Sequence, residues 1–185
     1  MDRDLVVRAR AGDRDAFSRL VATRITRLDA VARLITREPE RAKDAVQEAF
    51  ARAWRDLPVL RDPDRFDAWL RRLLVNACFD ELRRARHRSF EVELTDMHHP
   101  AVADSAIAVA DRDSLERGFR HLDPEQRSVI VLHYYLDLPL PEIAAALGLP
   151  QGTVKSRLHR ARASMRAALD ADARDLAPIE RGRPA

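Results

Sequence analysis

The sequence is poor in the residues that build disulfide frameworks and sheets. Its 185 residues contain one cysteine, five glycines and only 5% aromatic residues. A single thiol, Cys78, excludes an internal disulfide and is typical of a reducing compartment. Few aromatics beside 34% charged and 46% apolar residues favour a helical soluble protein. The length suits one ordinary domain or two small ones.

Long apolar runs are also missing. No segment reaches the roughly 18 consecutive apolar residues that a membrane span requires. The N-terminal segment MDRDLVVRARAGDRDAF is charged and lacks the apolar centre of a signal peptide. We therefore expect a cytoplasmic protein. The net charge of +3 is modest, so the choice of partner must depend on how the charges are distributed.

Hydrophobic periodicity divides the chain into two helical domains. Residues 1–88 predict two helices around a turn at Gly12, a helix over about 40–57 and a long helix over about 65–87. Residues 114–170 predict a helix capped by Asp123, with Pro124 in its first turn, and then a helix pair separated at Gly148. We predict an all-α fold of two small helical domains joined by a flexible linker.

Two segments carry no convincing helical period. Residues 89–113 form the predicted linker, because the stretch 89–111 holds five acids and no lysine or arginine. Residues 171–185 are predicted to be a frayed tail. The linker histidines His98 and His99, together with His87 and His121, lack the spacing of a structural zinc site. No metal or cofactor is expected.

The most informative segment is rich in cations and free of acids. No acidic residue occurs between Glu142 and Asp170, whereas five cations do: Lys155, Arg157, Arg160, Arg162 and Arg166. On a helical wheel an apolar stripe lies opposite a polar face, with long cations at the flanks. The short helix LPEIAAALG precedes it across a glycine turn, which is a helix-turn-helix pattern. It predicts binding to DNA, with two alternatives: the basic face binds an acidic protein partner, or its counter-charges lie elsewhere in the fold and it binds nothing.

These segments together resemble the sigma factors of bacterial RNA polymerase. LDPEQRSVIVLHYYLDLPLPEIAAALGLPQGTVKSRLHRARASMR resembles region four, DAVQEAFARAWRDL resembles the region-two helix that docks on polymerase, and RFDAWLRRLLVNACFDELRRARHR is similar to the adjoining promoter-reading helix. The short two-domain layout resembles the extracytoplasmic function group. The resemblance implies an alternative sigma factor that binds core RNA polymerase, recognises minus-35 duplex and melts the minus-10 element, and it implies an anti-sigma factor as a further partner.

The resemblance also assigns residues to each surface. Minus-35 contacts would come from Lys155, Ser156, His159, Arg160, Arg157, Arg162, His133 and Thr153. Minus-10 contacts would come from Leu60, Arg61, Asn76, Asp80, Arg83, Arg84, Arg86 and Arg88. Contacts with core polymerase would come from Asp44, Gln47, Glu48 and Trp54.

Several alternatives to these roles remain open at this point. Asn76 suits a helix-packing amide as well as a base reader, and Asp80 could form an i,i+4 ion pair with Arg84. Asp44 and Glu48 share a helix face, but no group organised around them suggests catalysis, so we expect no enzyme. As a whole, the chain could instead be a stand-alone helix-turn-helix transcription regulator or a helical adaptor between proteins.

Overall fold

The computed structural model describes the backbone of residues 2–92 and 118–176 and the side chains of residues 3–86 and 118–171. Within these ranges the chain is helical and holds no strand, which confirms the predicted all-α class. The helices are α1 Asp2–Arg10, α2 Arg14–Ala22, α3 Ile25–Thr36, α4 Pro39–Asp56, α5 Phe66–Val92, α6 Pro124–Ile130, α7 Leu140–Leu147 and α8 Gln151–Leu176. Short 3-10 turns, Leu57–Val59 and Pro63–Arg65, precede α5, and a π-helical turn, Val131–Tyr135, follows α6.

A glycine turn separates α1 from α2, as predicted. Gly12 has a φ of 92°, a left-handed conformation that glycine adopts at little cost. The next residue, Asp13, caps α2 by accepting a hydrogen bond from the backbone N–H of Ala16 at 3.0 Å. Arg8 holds the same carboxylate from α1 at 2.7 Å. The turn is therefore fixed from both sides.

The second predicted helix is divided into α2 and α3 at Thr23 and Arg24. The hydroxyl of Thr23 donates to the carbonyls of Arg19 and Leu20, at 3.2 and 3.1 Å. Such side-chain bonds compete with the backbone pairing of a helix interior. Two helices at this point were not predicted, because the apolar spacing continues across the break.

Helix α4 lies between α3 and α5 in the first domain. The residues that it buries match the predicted apolar stripe, and most are alanine: Ala42, Ala45, Val46, Ala49, Phe50 and Ala53. Small side chains allow the three helices to approach closely and still fill the space between them. This packing fixes which side chains of α4 and α5 face outward.

The second domain begins at a capping box. The carboxylate of Asp123 accepts from the backbone N–H of Gln126 at 2.7 Å, and the Gln126 side chain accepts from the backbone N–H of Asp123 at 3.2 Å. The predicted N-cap is confirmed. Helix α7 ends at Gly148, whose φ is 65°, and α8 begins after Pro150. The helix pair α7–α8 is thus the predicted helix-turn-helix.

The two domains contact each other in this structure. Helix α5 packs against α7, and α3 packs against α6 and the π-helical turn. An ion pair between Arg71 of α5 and Glu142 of α7, at 3.1 Å, crosses the contact. No helix among the described residues is long and apolar enough to cross a bilayer.

Two helices extend beyond the predicted domain boundaries. Helix α5 continues to Val92, so residues 89–92, the predicted start of the linker, are helical. Helix α8 continues to Leu176, beyond the predicted start of the tail. Neither stretch contains glycine or proline, so nothing in it ends the helix. The remainder of the predicted linker, and the tail after Leu176, lie outside the described residues.

Candidate nucleic-acid interface

Helix α8 presents the predicted polar face to solvent. Val154, Leu158 and Ala161 are buried, and this apolar stripe packs the helix onto α6 and α7. The residues opposite the stripe are exposed: Lys155, Ser156, His159 and Arg160. No acid lies on this stretch to neutralise its cations. The exposed cationic and polar side chains can therefore bind an anionic ligand.

The flanks of this face differ from one another. Arg162 is exposed and Thr153 is half-buried. Arg157 is partly buried, because its guanidinium pairs with Glu125 of α6 at 2.8 Å. The charge of Arg157 is therefore partly neutralised within the protein. Arg157 joins α8 to α6, whereas the sequence predicted that its charge would face DNA.

His133 lies in the π-helical turn and not on a helix surface. Its ring is half-buried, with Nδ1 3.2 Å from the carbonyl oxygen of Leu138. The ring packs edge-on with that of Tyr134, and the two ring centroids are 4.7 Å apart. These contacts orient the ring and leave it partly accessible near the start of the helix-turn-helix.

Helix α5 carries a second polar face with several cations. Asn76 is exposed, which disfavours the alternative of a buried packing amide. Arg83 and Arg86 are exposed as well. Arg84 pairs with Glu81, a buried acid on the same helix. The side chain of Arg88 lies outside the described residues.

Asp80 is paired, but not with the partner considered from the sequence. One carboxylate oxygen accepts from Arg83, and the other lies 2.9 Å from a guanidinium nitrogen of Arg52. The alternative i,i+4 pair with Arg84 does not form, and Arg84 pairs with Glu81 instead. Both oxygens of Asp80 are thus engaged by arginines of the same domain.

The loop before α5 exposes a different residue from the one predicted. Leu60 is 9% exposed and belongs to the core, whereas Val59 is 77% exposed. The DNA contact of Leu60 stays a prediction, and the exposed apolar side chain of this loop is that of Val59. Arg61 is exposed as expected. A short loop has no periodicity from which to predict which apolar residue points inward.

The outward face of α4 carries the residues predicted to contact core polymerase. Asp44 and Gln47 are exposed, and Glu48 is half-buried. Trp54 is only partly accessible, because its ring packs on Phe17 with the centroids 5.0 Å apart. Trp54 therefore serves first to join α4 to α2.

Arg52 was not predicted as part of any surface, yet it connects two of them. Its Nε donates to Glu48 at 2.6 Å and its NH2 group lies 2.9 Å from Asp80. Burial acts to raise the pKa of Asp80, but the hydrogen bonds from Arg83 and Arg52 outweigh it, so that pKa lies below the usual range. The spacing of Glu48 and Arg52, one helical turn apart, was the available signal.

The described residues hold no group of three or more His, Cys, Asp or Glu side chains that could bind a metal ion. His98 and His99 lie outside the described residues. The described surfaces offer polar and cationic side chains on two helices of separate domains, and the polar face of α4 lies beside one of them.

Comparison with known proteins agrees with this arrangement. Residues 20–88 match the family model described as Sigma-70 region 2, and residues 112–165 match the one described as Sigma-70, region 4. The chain is 37% identical over 164 residues to the ECF RNA polymerase sigma factor SigM of Mycobacterium tuberculosis, covering 89% of this chain and 82% of that protein. It is 39% identical over 170 residues to the RNA polymerase sigma-E factor of Streptomyces coelicolor, covering 90% and 95%.

Solved structures show the same fold. The structure of CnrH in complex with the cytosolic domain of CnrY matches with a TM-score of 0.65 and 36% identity, over 92% of this chain and 98% of that chain. The sigma factor RpoE of Bartonella quintana, in complex with the anti-sigma factor NepR, matches with a TM-score of 0.71 and 23% identity, over 84% and 98%. The chain belongs to the extracytoplasmic function sigma factors, the alternative sigma factors that direct bacterial RNA polymerase to its promoters.

Proposed function

We propose that α8 reads the minus-35 duplex. The observation that supports this is the exposed face of Lys155, Ser156, His159 and Arg160 over a buried apolar stripe. A helix of this width fits the major groove, where hydroxyl and guanidinium groups bond base edges. Arg162, and the half-buried Thr153 and His133, would bind the flanking phosphates. Arg157 would hold the helix in place through Glu125.

The minus-10 element is assigned to α5 and the loop before it. Asn76 can both donate and accept at a base edge, and Arg83, Arg84, Arg86 and Arg88 supply charge along a single strand. Val59 and Arg61, exposed together on the loop, would contact an unstacked base. Asp80 would hold Arg83 and would not itself contact a base, since each of its oxygens pairs with an arginine.

Core polymerase would bind the polar face of α4 through Asp44, Gln47 and Glu48, with the exposed edge of Trp54 beside them. Acids one turn apart on a helix suit a partner that presents cations. Together these assignments divide the chain into a polymerase and minus-10 domain, residues 1–88, and a minus-35 domain, residues 114–170, with helices that extend past both limits.

The partner and the place of action follow from the family. An anti-sigma protein is the proposed regulator, because the solved relatives CnrH and RpoE are bound to CnrY and to the anti-sigma factor NepR. The protein would act in the cytoplasm, by binding alone and without catalysis. Neither a stand-alone regulator nor an adaptor accounts for matches to both sigma regions.

The test of this function is start-site mapping with the purified chain and core polymerase. We expect specific initiation that neither component supports alone. A stand-alone regulator would bind promoter duplex without polymerase, and an adaptor would direct no start site. Failure to bind core enzyme contradicts the proposal.

Replacing Arg160 with alanine tests the reading face. We expect transcription from minus-35-dependent promoters to fall roughly tenfold, equivalent to the loss of one good base contact, with core binding unchanged. Arg14→Ala, which removes an exposed arginine of α2, is the matched control and should have little effect. An equal loss of core binding in Arg160→Ala would remove this residue from the reading face.

A further inference from the structure

Four side chains of alternating charge connect the polymerase face of α4 to the DNA face of α5. In order they are Glu48, Arg52, Asp80 and Arg83. Arg52 donates to Glu48 at 2.6 Å and lies 2.9 Å from Asp80, which in turn pairs with Arg83. The outer members are the more accessible, at 39% for Glu48 and 67% for Arg83, against 22% and 23% for the inner pair.

Each inner member of this ionic chain is shared between two partners. The planar guanidinium of Arg52 divides its N–H groups between two carboxylates, and Asp80 divides its two oxygens between two arginines. Because the inner pair is shielded from water, the attraction between these charges is less screened than at an open surface. A new partner for Glu48 therefore changes how strongly Arg52 bonds to Asp80, and in turn how strongly Asp80 bonds to Arg83.

We propose that Arg52 is a positioning residue that couples polymerase binding at Glu48 to the release of Arg83 for promoter DNA. The inference rests on the proposed assignment of Glu48 to polymerase and of Arg83 to the minus-10 strand. A polymerase cation that pairs with Glu48 weakens its bond to Arg52. Arg52 then turns fully to Asp80, and Asp80 loosens its hold on Arg83.

The coupling works in both directions. If polymerase at Glu48 favours the release of Arg83, then DNA that binds Arg83 must favour polymerase binding by the same factor. In the free chain Arg83 is retained by Asp80, so binding to promoter strands is weak until polymerase is present. A purely structural ion network would stabilise the domain without linking the two affinities.

The experiment uses Glu48→Gln in the full chain to imitate the paired state of Glu48. The probe is a fluorescent single-stranded oligonucleotide carrying the minus-10 sequence of a promoter mapped as above. We expect Glu48→Gln to bind this probe roughly fivefold more tightly than the unaltered free chain, within the usual range of coupling between sites.

Glu40→Gln is the matched control. It makes the same change of charge on the same helix, at an exposed residue that pairs with Lys43, 3.9 Å away. A general electrostatic effect would tighten binding equally in both variants, and that result overturns the proposal. The gain in probe affinity from Glu48→Gln should disappear when it is made in an Arg52→Gln background. In an Arg52→Lys background the gain should be smaller, because an ammonium group lacks the planar fork with which a guanidinium bonds two carboxylates.

Two further measurements keep the test decisive if Arg52→Gln unfolds. Asp80→Asn should release Arg83 directly, so that adding Glu48→Gln to it should not increase probe affinity further. If Asp80→Asn instead weakens probe binding, Asp80 is a DNA contact and the proposal is overturned. Arg83→Gln should reduce probe affinity more with saturating core polymerase than without it. Equal reductions contradict the coupling.

The same assays separate this inference from the function on which it rests. If the unaltered chain binds neither core polymerase nor the probe, the proposed function fails and the coupling fails with it. If it binds both, but Glu48→Gln and Glu40→Gln behave alike, only the coupling is wrong.

Discussion

At the scale of single residues, burial decides the chemistry of Cys78. Its side chain is fully buried in α5, and burial raises the pKa of the thiol to about 12. The thiol is therefore neutral at physiological pH, and the thiolate that reacts with electrophiles is scarce.

We accordingly expect Cys78 to be labelled by iodoacetamide at pH 8 at least tenfold more slowly in the native protein than in denaturant. Mass spectrometry of timed samples measures both rates. Comparable rates would show that α5 opens readily around this residue. Because this is the one cysteine of the sequence, the signal needs no correction for other sites.

Asp80 gives a prediction for acid stability. Its pKa is below the ordinary value of 3.8, because the bonds from Arg83 and Arg52 outweigh the effect of burial. Between the folded and unfolded pKa values the unfolded chain binds more protons, so the contribution of Asp80 is present above about pH 4 and is lost as the pH falls through the folded value.

The free energy of unfolding of the unaltered chain should therefore fall more steeply below pH 4 than that of Asp80→Asn, which has no such proton to bind. Urea titrations at pH 5, 4 and 3 measure the difference. Parallel curves would show that the ion pairs of Asp80 contribute nothing to folding in solution.

At the scale of elements, the helix-turn-helix depends on a backbone conformation at Gly148. Its φ of 65° ends α7 in the left-handed region, and no atom lies within 4 Å of the position where a Cβ would be. A side chain there would meet backbone strain but no steric clash.

Gly148→Ala should therefore lower the free energy of unfolding by about 1 kcal/mol. Gly152 is the matched control, since it lies inside α8, also has open space around it and has no left-handed φ. Gly152→Ala should leave stability unchanged or raise it by up to about 1 kcal/mol. Thermal unfolding measures both, and equal changes in the two variants would contradict the role of the left-handed turn.

The helices were predictable to the extent that their apolar residues repeat at helical spacing. Val154, Leu158 and Ala161 do so, and the exposed face of α8 follows from them. Val59 and Leu60 adjoin in a loop without a period, so their order of burial had to come from the structure. The bond between Arg52 and Asp80 joins two different helices, which no pattern within one helix reveals.

At the scale of the whole molecule, a buried arginine marks the contact between the domains. Arg127 of α6 is 7% exposed, and its Nε has no hydrogen-bond partner in the described part of the chain. Burial, with a smaller effect of Arg37 at the end of α3, lowers its pKa to about 10. The charge is thus retained at neutral pH and its burial is unfavourable.

Arg127→Met keeps much of the apolar length and removes that charge. We expect it to raise the free energy of unfolding by about 1 kcal/mol or more. Arg120→Met, at an exposed position, is the control and should change stability by less than about 0.5 kcal/mol. Denaturant unfolding measures both, and a lower stability of Arg127→Met would show that the guanidinium is well satisfied in solution.

The length of α8 has a mechanical consequence. Its 26 residues make a rod of about 39 Å at the usual rise per residue, and the reading residues occupy only its first three turns. The remaining turns extend roughly 24 Å beyond Arg160. A fluorophore attached at Leu176 would therefore lie well separated, along the helix axis, from the residues proposed to read the promoter.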